Sequence, residues 1–251
     1  MAVSPFHTRG RFQRNYLSFA GRNSKEFLLY LSGPGVYDAP AADVEATAVP
    51  GKNGDILTDN ARTGQRRFHN LDIEYDAFFF DGIPAKTTAV KSWLLSPVGY
   101  QKLSDTYNPD FFRMAVCKEA IEFDVTAHKA AKMKLTFHCK PQRWSVAGQK
   151  PVRMDAPGMI RNPFAFPALP LIRVYGTGAG VLYVGDNAIT IHSIDQYVDL
   201  NCETHNAYNA GGFCNQTILS EDFPELAPGS TQIIWTGGIS YMEITPRWWT
   251  L

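Results

Sequence analysis

A mainly β fold arranged as two domains is what this sequence predicts, and three observations predict it. Runs of alternating apolar and polar residues recur along the chain, as in LDIEYDAFFF and KMKLTFHC. That is the spacing at which successive side chains leave a strand on opposite faces. Gly, Pro and Asn punctuate these runs, and aromatic residues make up 13% of the chain, a composition that suits strands. Finally, a single segment has apolar residues at helical spacing. With 251 residues, 45% of them hydrophobic and 19% charged, the chain has enough material for two cores.

The elements follow in order. Residues 1–14 form a basic arm carrying Arg9, Arg11 and Arg14, and through Arg22 no acid appears. Such an arm can dock on an acidic neighbour or touch nucleic acid; the plainer reading is a solvated terminus. NYLSFAGRNSKEFLLYLSG predicts a hairpin, with residues 16–19 and 27–31 as its strands and the Gly-Arg-Asn-Ser stretch as its turn. DVEATAV leads into VPGKNGDI, where two glycines, Lys52 and Asp55 suggest a phosphate loop at first sight. A phosphate loop needs a following helix, and LTDNARTGQRRF has no helical spacing, so Pro50, Gly51, Lys52, Asn53, Gly54 and Asp55 read as a turn. RRFHNLDIEYDAFFF predicts a long strand with Asp72, Glu74 and Asp76 on its solvent face. Residues 86–95, between Pro84 and Pro97, predict the helix, with Val90, Trp93 and Leu94 facing a sheet. FFRMAVC, AIEFDVTA and KMKLTFHC read as three more strands.

The polar, Pro- and Gly-bearing stretch after Trp144 predicts a domain boundary, giving domains at 15–144 and 145–251. Beyond it the strands read as short, with Gly176 to Gly180 taken as a hairpin turn and Gly237-Gly238 as the centre of a closing hairpin. Residues 1–144 hold 19 Lys and Arg against 15 Asp and Glu, and residues 145–251 hold 5 against 9, so the halves carry +4 and −4.

Chemical motifs are scarce. Gly176-Thr-Gly178-Ala-Gly180 begins like a dinucleotide fingerprint, but the next run, VLYVGDNAITI, is a strand and offers no helix N-terminus. Cys117, Cys139, Cys202 and Cys214 form no CxxC pair, and Cys202, His205 and Cys214 fall short of a zinc set, so all four read as free buried thiols. His7, His69, His128, His138, His192 and His205 are scattered singly. No catalytic residue, metal or cofactor is expected. No apolar run nears the roughly 20 residues of a membrane helix, and the start lacks a signal-like apolar stretch, so the expectation is a soluble chain made in a cytoplasm.

The ordered series FxxxNSKEFLLYLSG, VPGKNGDI, KTTAVKSWLL, CKPQRW, NPFAFPALPLIRVYGTG, LNCETHNAY and WTGGISYMEITPRWW resembles distal tail proteins of siphophages of Gram-positive hosts, from about Asn15 to Leu251. The resemblance implies an N-terminal β-sandwich-like domain with one α-helix and a C-terminal galectin-like antiparallel β-sandwich. It implies a structural protein, without catalytic residues, in a hexameric ring at the virion tail tip. Its partners would be copies of itself, the tail tube protein, the tail-associated hub protein and a receptor-binding protein, with no membrane and no specific nucleic acid. Pro50, Gly51, Lys52, Asn53, Gly54 and Asp55 in the rigid turn, with Lys52 and Asp55 as its charged pair, and Arg9, Arg11 and Arg14 of the arm are then interface candidates. The arm is longer than the resemblance implies, and residues 145–251 lack a long insertion of the kind that serves as an adhesin arm. The other reading is a carbohydrate-binding β-sandwich module, with Trp235, Trp248 and Trp249 as its platform.

Overall fold

The computed structural model describes residues 14–33, 35–59, 66–127 and 129–251. Arg9, Arg11, His7 and His128 lie outside them. The fold is mainly β, built from antiparallel sheets with one α-helix, as expected. The chain forms two compact units. The first runs to Pro109 and resumes over Arg113–Pro141; the second holds Asp110–Phe112 and Gln142–Leu251.

In the first unit, β1 (Leu17–Phe19) turns through Ala20-Gly21 into β2 (Arg22–Asn23). Both turn residues have positive φ, the geometry of a tight hairpin. The expected second strand at 27–31 is displaced by a 3₁₀ turn, Ser24–Phe27. Asn23 Oδ1 accepts from the Lys25 N–H, and Glu26 accepts from the Asn23 N–H, so this capping box outcompetes strand pairing. The chain becomes extended again as β3 (Tyr30–Ser32), which pairs with β6 rather than β1; β4 (Val44–Ala48), β5 (Asp55–Asp59) and β6 (Leu71–Phe80) follow it.

The helix α1 (Ile83–Leu95) begins three residues earlier than the spacing suggested, because Pro84 sits in its first turn, where a missing N–H costs nothing. It buries Ile83, Val90, Trp93 and Leu94, and the Trp93 indole N–H donates to the Phe19 carbonyl at 3.0 Å while its ring stacks on Phe27 at 4.7 Å. After α1 come β7 (Gln101–Asp105), β8 (Phe111–Val116), β9 (Phe123–Thr126) and β10 (Ala130–Cys139). β7, too polar to read as a strand, pairs with β1 and β8. β6 and β10 pair along their whole lengths, with Phe79, Leu135 and Phe137 inside. Asp72, Glu74 and Asp76 lie outside, where Asp72 meets His138 at 2.6 Å and Glu74 meets Lys134 at 2.9 Å.

The stretch after Trp144 is not a free linker. β11 (Arg143–Ser145) pairs with Phe111 and Phe112 of β8, a 3₁₀ turn covers Ala147–Gln149, and β12 (Val152–Met154) and β13 (Gly158–Asn162) join the second unit's main sheet. A boundary after Trp144 therefore falls inside β11.

The strands that follow overturn the expectation of short ones. β14 (Leu171–Val184), β15 (Asn187–Asn201) and, after β16 (Asn206–Asn209), β17 (Gly212–Phe213) and β18 (Ile218–Leu219), β19 (Gly229–Thr245) include strands of 14, 15 and 17 residues, longer than any in the first unit; β20 (Trp249–Thr250) closes on β11. Gly176 to Gly180 and Gly237-Gly238 are not hairpin turns. They lie inside β14 and β19, facing one another where the register shifts. A Cβ on Gly176 would lie 2.0 Å from the Gly238 carbonyl oxygen, and one on Gly238 would lie 1.9 Å from the Thr177 carbonyl oxygen. Glycine marks a turn or a bulge alike, and here the two backbones approach too closely for any side chain. The core behind them holds Ile172, Val174, Val198, Leu200, Met242 and Ile244.

Candidate assembly interface

β4 and β5 form a two-stranded sheet of their own, paired from Val44↔Asp59 to Ala48↔Asp55. Their base is held by a short ladder in which the Asp43 N–H donates to the Arg67 carbonyl and the His69 N–H to the Ala41 carbonyl, each at 2.9 Å. The Asp43 carboxylate also lies 3.4 Å from both Arg67 and His69. Above that base most of the ribbon's described side chains are exposed. Ile56 is 50% exposed and Leu57 67%, and because neighbours on a strand point to opposite sides, each side of the ribbon shows water one aliphatic side chain. A two-stranded ribbon with both sides wet is marginal by itself, so its natural complement is another surface.

The VPGKNGDI stretch is the tip of this ribbon. Pro50 occupies the second position and Gly51, at φ 79°, the third position of a turn closed by the Lys52 N–H donating to the Val49 carbonyl at 3.1 Å, the arrangement of a type II turn. Gly54, at φ 81°, makes the second reversal. Lys52, Asn53 and Asp55 are exposed along the tip. Among the described residues no helix follows the tip before α1, so none supplies it with the converging amides that a phosphate needs.

A second feature of the first unit, half-buried except at the exposed Phe80, escaped the sequence reading. Tyr16, Tyr30, Phe78 and Phe80 form a row of rings on the outer side of the sheet, with successive centroids 5.8, 5.6 and 5.4 Å apart. Arg14 lies over the Tyr30 ring at 5.1 Å and Lys25 over Tyr16 at 4.5 Å. Phe78 and Phe80 also line a groove of about 830 Å³ with Asp76, Phe123 and Lys132. The signal was present as Phe78-Phe79-Phe80, where every second ring must face outward. Adjacent Ile56 and Leu57 were a similar signal, since side-by-side aliphatics make both faces of a strand apolar. Arg14 is thus placed beside the ring row, whereas Arg9 and Arg11 are outside the described residues.

The remaining candidates are packing residues. Trp248 is buried, and Trp249 stacks on Phe166 at 4.5 Å and donates its indole N–H to the Pro167 carbonyl. The four cysteines are free and buried, and burial pushes the Cys139 and Cys202 thiols up to about 12 and Cys117 up to about 11. These three are therefore neutral thiols near pH 7. Among the described residues no group of three or more His, Cys, Asp and Glu side chains is placed to hold a metal ion. Among them also, no helix is long and apolar enough to cross a membrane.

No model of a known protein family matches this chain, and no curated protein matches it in sequence. In structure it is similar to the Dit (gp 19.1) protein of phage SPP1, whose crystal structure is described as a paradigm of hub adsorption apparatus in phages infecting Gram-positive hosts. The TM-score is 0.72 at 14% identity, and the match covers 94% of this chain and 99% of that one. The fold that the motif series implied is therefore the fold found.

Proposed function

We propose that this chain is a structural distal tail protein of a siphophage, forming a hexameric ring at the virion tail tip between the tail tube protein and the tail-associated hub protein. The observation that carries this reading is the end-to-end structural likeness to the phage SPP1 protein, which leaves almost no part of either chain unmatched. The first unit supplies a means of assembly. Its β4–β5 ribbon offers Ile56 and Leu57, and its outer ring row offers Tyr30, Phe78 and Phe80, two apolar surfaces at different places on one subunit. A ribbon on one copy engaging a surface on the next is a head-to-tail contact, and such contacts generate closed rings. Lys52 and Asp55 at the ribbon tip would form the polar rim of that contact, and the arm arginines would add a salt-sensitive one. No catalytic role is assigned to any residue.

Native mass spectrometry of the full chain tests the reading, with a hexamer as the expected species. Changing both Ile56 and Leu57 to Asp should give monomers with an unchanged far-UV circular dichroism spectrum, since neither side chain is buried within the chain. A full chain that stays monomeric at all concentrations, or a double variant that still assembles, would remove the ribbon from the account.

A further inference from the structure

We infer that the outer face of the second unit's main sheet is a binding site for a neutral oligosaccharide, centred on Tyr208 and Phe213. This inference does not rest on the ring. The strand register puts a row of side chains on one face: Glu243 on β19, Arg173 on β14, Asp199 on β15, Tyr208 on β16 and Phe213 on β17. A second row on that face holds Tyr241, Tyr175 and Tyr197. The intervening residues Ile172, Val174, Val198, Leu200 and Ala207 point the other way, into the core. From β14 to β17 the first row crosses three strand spacings, about 14 Å, the scale of a short sugar chain rather than a single small molecule.

The rings divide into two groups. Arg173 lies over Tyr197 at 4.6 Å, Arg153 over Tyr241 at 3.9 Å, and Tyr175 stacks on Tyr241 at 4.3 Å, so the ring faces of that row are occupied from within. Among the described residues no ring or cation stacks on Tyr208 or Phe213, a cross-strand pair, and Phe213 is 77% exposed at the edge of the sheet. Together with Asn201, Thr204, Asn206 and Asn209 they line a shallow recess of about 450 Å³.

The amides around this recess are oriented. Asn201 Oδ1 accepts from Arg247 Nη1 at 2.9 Å and from the Glu203 N–H at 3.3 Å, which leaves its Nδ2 hydrogens as what it offers a ligand. Asn209 Oδ1 accepts from the Gly211 N–H at 2.9 Å and fixes the turn between β16 and β17 at the rim of the recess. Asn206 is held in place by donating to the Thr204 carbonyl and accepting from Asn215. An open aromatic face beside fixed amide donors suits a pyranose, which has an apolar C–H face for the ring and hydroxyl oxygens for the amides.

The charges on the face select against other ligands. Arg173 makes two 2.7 Å bonds to Asp199, which is 2% exposed; Arg247 pairs with Glu203 at 3.2 Å; Arg153 pairs with Asp155 at 2.8 Å. With its cations paired internally, the face presents no field to draw a nucleic acid or a polyphosphate. What remains is hydroxyl-rich and uncharged.

An array of neutral oligosaccharides built from hexose and N-acetylhexosamine units, probed with the full chain, finds the ligand, and titration calorimetry measures it. The expected result is binding of at least one oligosaccharide with a dissociation constant at or below about 1 mM. Phe213→Ala and Asn201→Ala should each weaken it by about tenfold or more, while Leu219→Ala, an exposed residue elsewhere on the unit, leaves it unchanged. In saturation-transfer NMR on the unaltered chain, the C–H protons of one sugar face should receive the strongest transfer, a readout independent of whether any variant folds. No binding across the array overturns the proposal. So does binding that survives both substitutions in chains of unchanged melting temperature, or uniform transfer to all sugar protons.

Discussion

Gly176 and Gly178 stand two residues apart in β14 and separate two uses of glycine. Gly178 has φ 81° and open space where a Cβ would be, so Gly178→Ala should cost about 1–2 kcal/mol, the strain of a left-handed alanine. At Gly176 the obstacle is contact: a Cβ would sit 2.0 Å from a backbone oxygen of β19, which no rotamer relieves. Gly176→Ala must push β14 and β19 apart and should cost on the order of 4 kcal/mol, in the range reserved for strain in a packed interior. Urea unfolding of the two variants checks the difference. Equal losses would mean that the close approach of the two strands is relaxed at little cost. These two positions also show what was hidden at this scale. The sequence GTGAG says that side chains are excluded or φ is positive, but both a hairpin and a facing bulge satisfy it, and only the pairing of both β14 flanks with the same β15 and β19 decides.

Legibility at the level of elements followed the strength of the local pattern. β6 and β10, ten residues each with strict alternation, and α1, with its buried Val90, Trp93 and Leu94, were plain from spacing alone. β7, Gln101–Asp105, was not, because Leu103 is its single buried residue and strand identity comes from its neighbours β1 and β8. The 3₁₀ turn at Ser24–Phe27 was legible in principle as Asn-x-x-Glu, a capping box, but the aromatic and aliphatic residues around it read as strand. The candidate interface followed the same rule. The turn at residues 49–54 could be read from Pro-Gly and Asn-Gly, whereas its place at the tip of an uncovered ribbon is a tertiary fact. In the polar stretch after Trp144, Ser145 and Gly148 are buried and the Ser145 N–H donates to the Trp248 carbonyl at 2.8 Å, so polar composition there reflects backbone pairing and not exposure. Limited digestion of the free chain with a protease of broad specificity should therefore reach the exposed loop at residues 49–54 before it cuts within 143–150. Early fragments ending between Arg143 and Lys150 would show that β11 and its 3₁₀ turn open more easily than their bonding indicates.

For the whole molecule, the question is which unit would make the proposed ring. The ribbon, its tip and the row from Tyr16 to Phe80 all belong to the first unit, so a chain ending after β11, at Ser145, should retain every surface that the proposed contact uses. Ending there rather than at Pro141 matters, because Phe111 and Phe112 pair with Ser145 and Trp144, and a shorter chain would leave two aromatic residues of β8 without their partner strand. Strand length no longer helps to choose, since the longest strands lie in the second unit, and charge points only weakly: the +4 of residues 1–144 and the −4 of residues 145–251 predict an attraction that salt screens within about 10 Å. Removing the second half therefore deletes that attraction but not the apolar contact. Residues 1–145 should form the same hexamer as the full chain, with the full-chain ring losing more stability than the truncation as salt rises from low to physiological concentration. Native mass spectrometry of both chains across a salt series reads this directly. Monomers from the truncation beside hexamers from the full chain, with the truncation folded by circular dichroism, would move the interface to the second unit and its long strands.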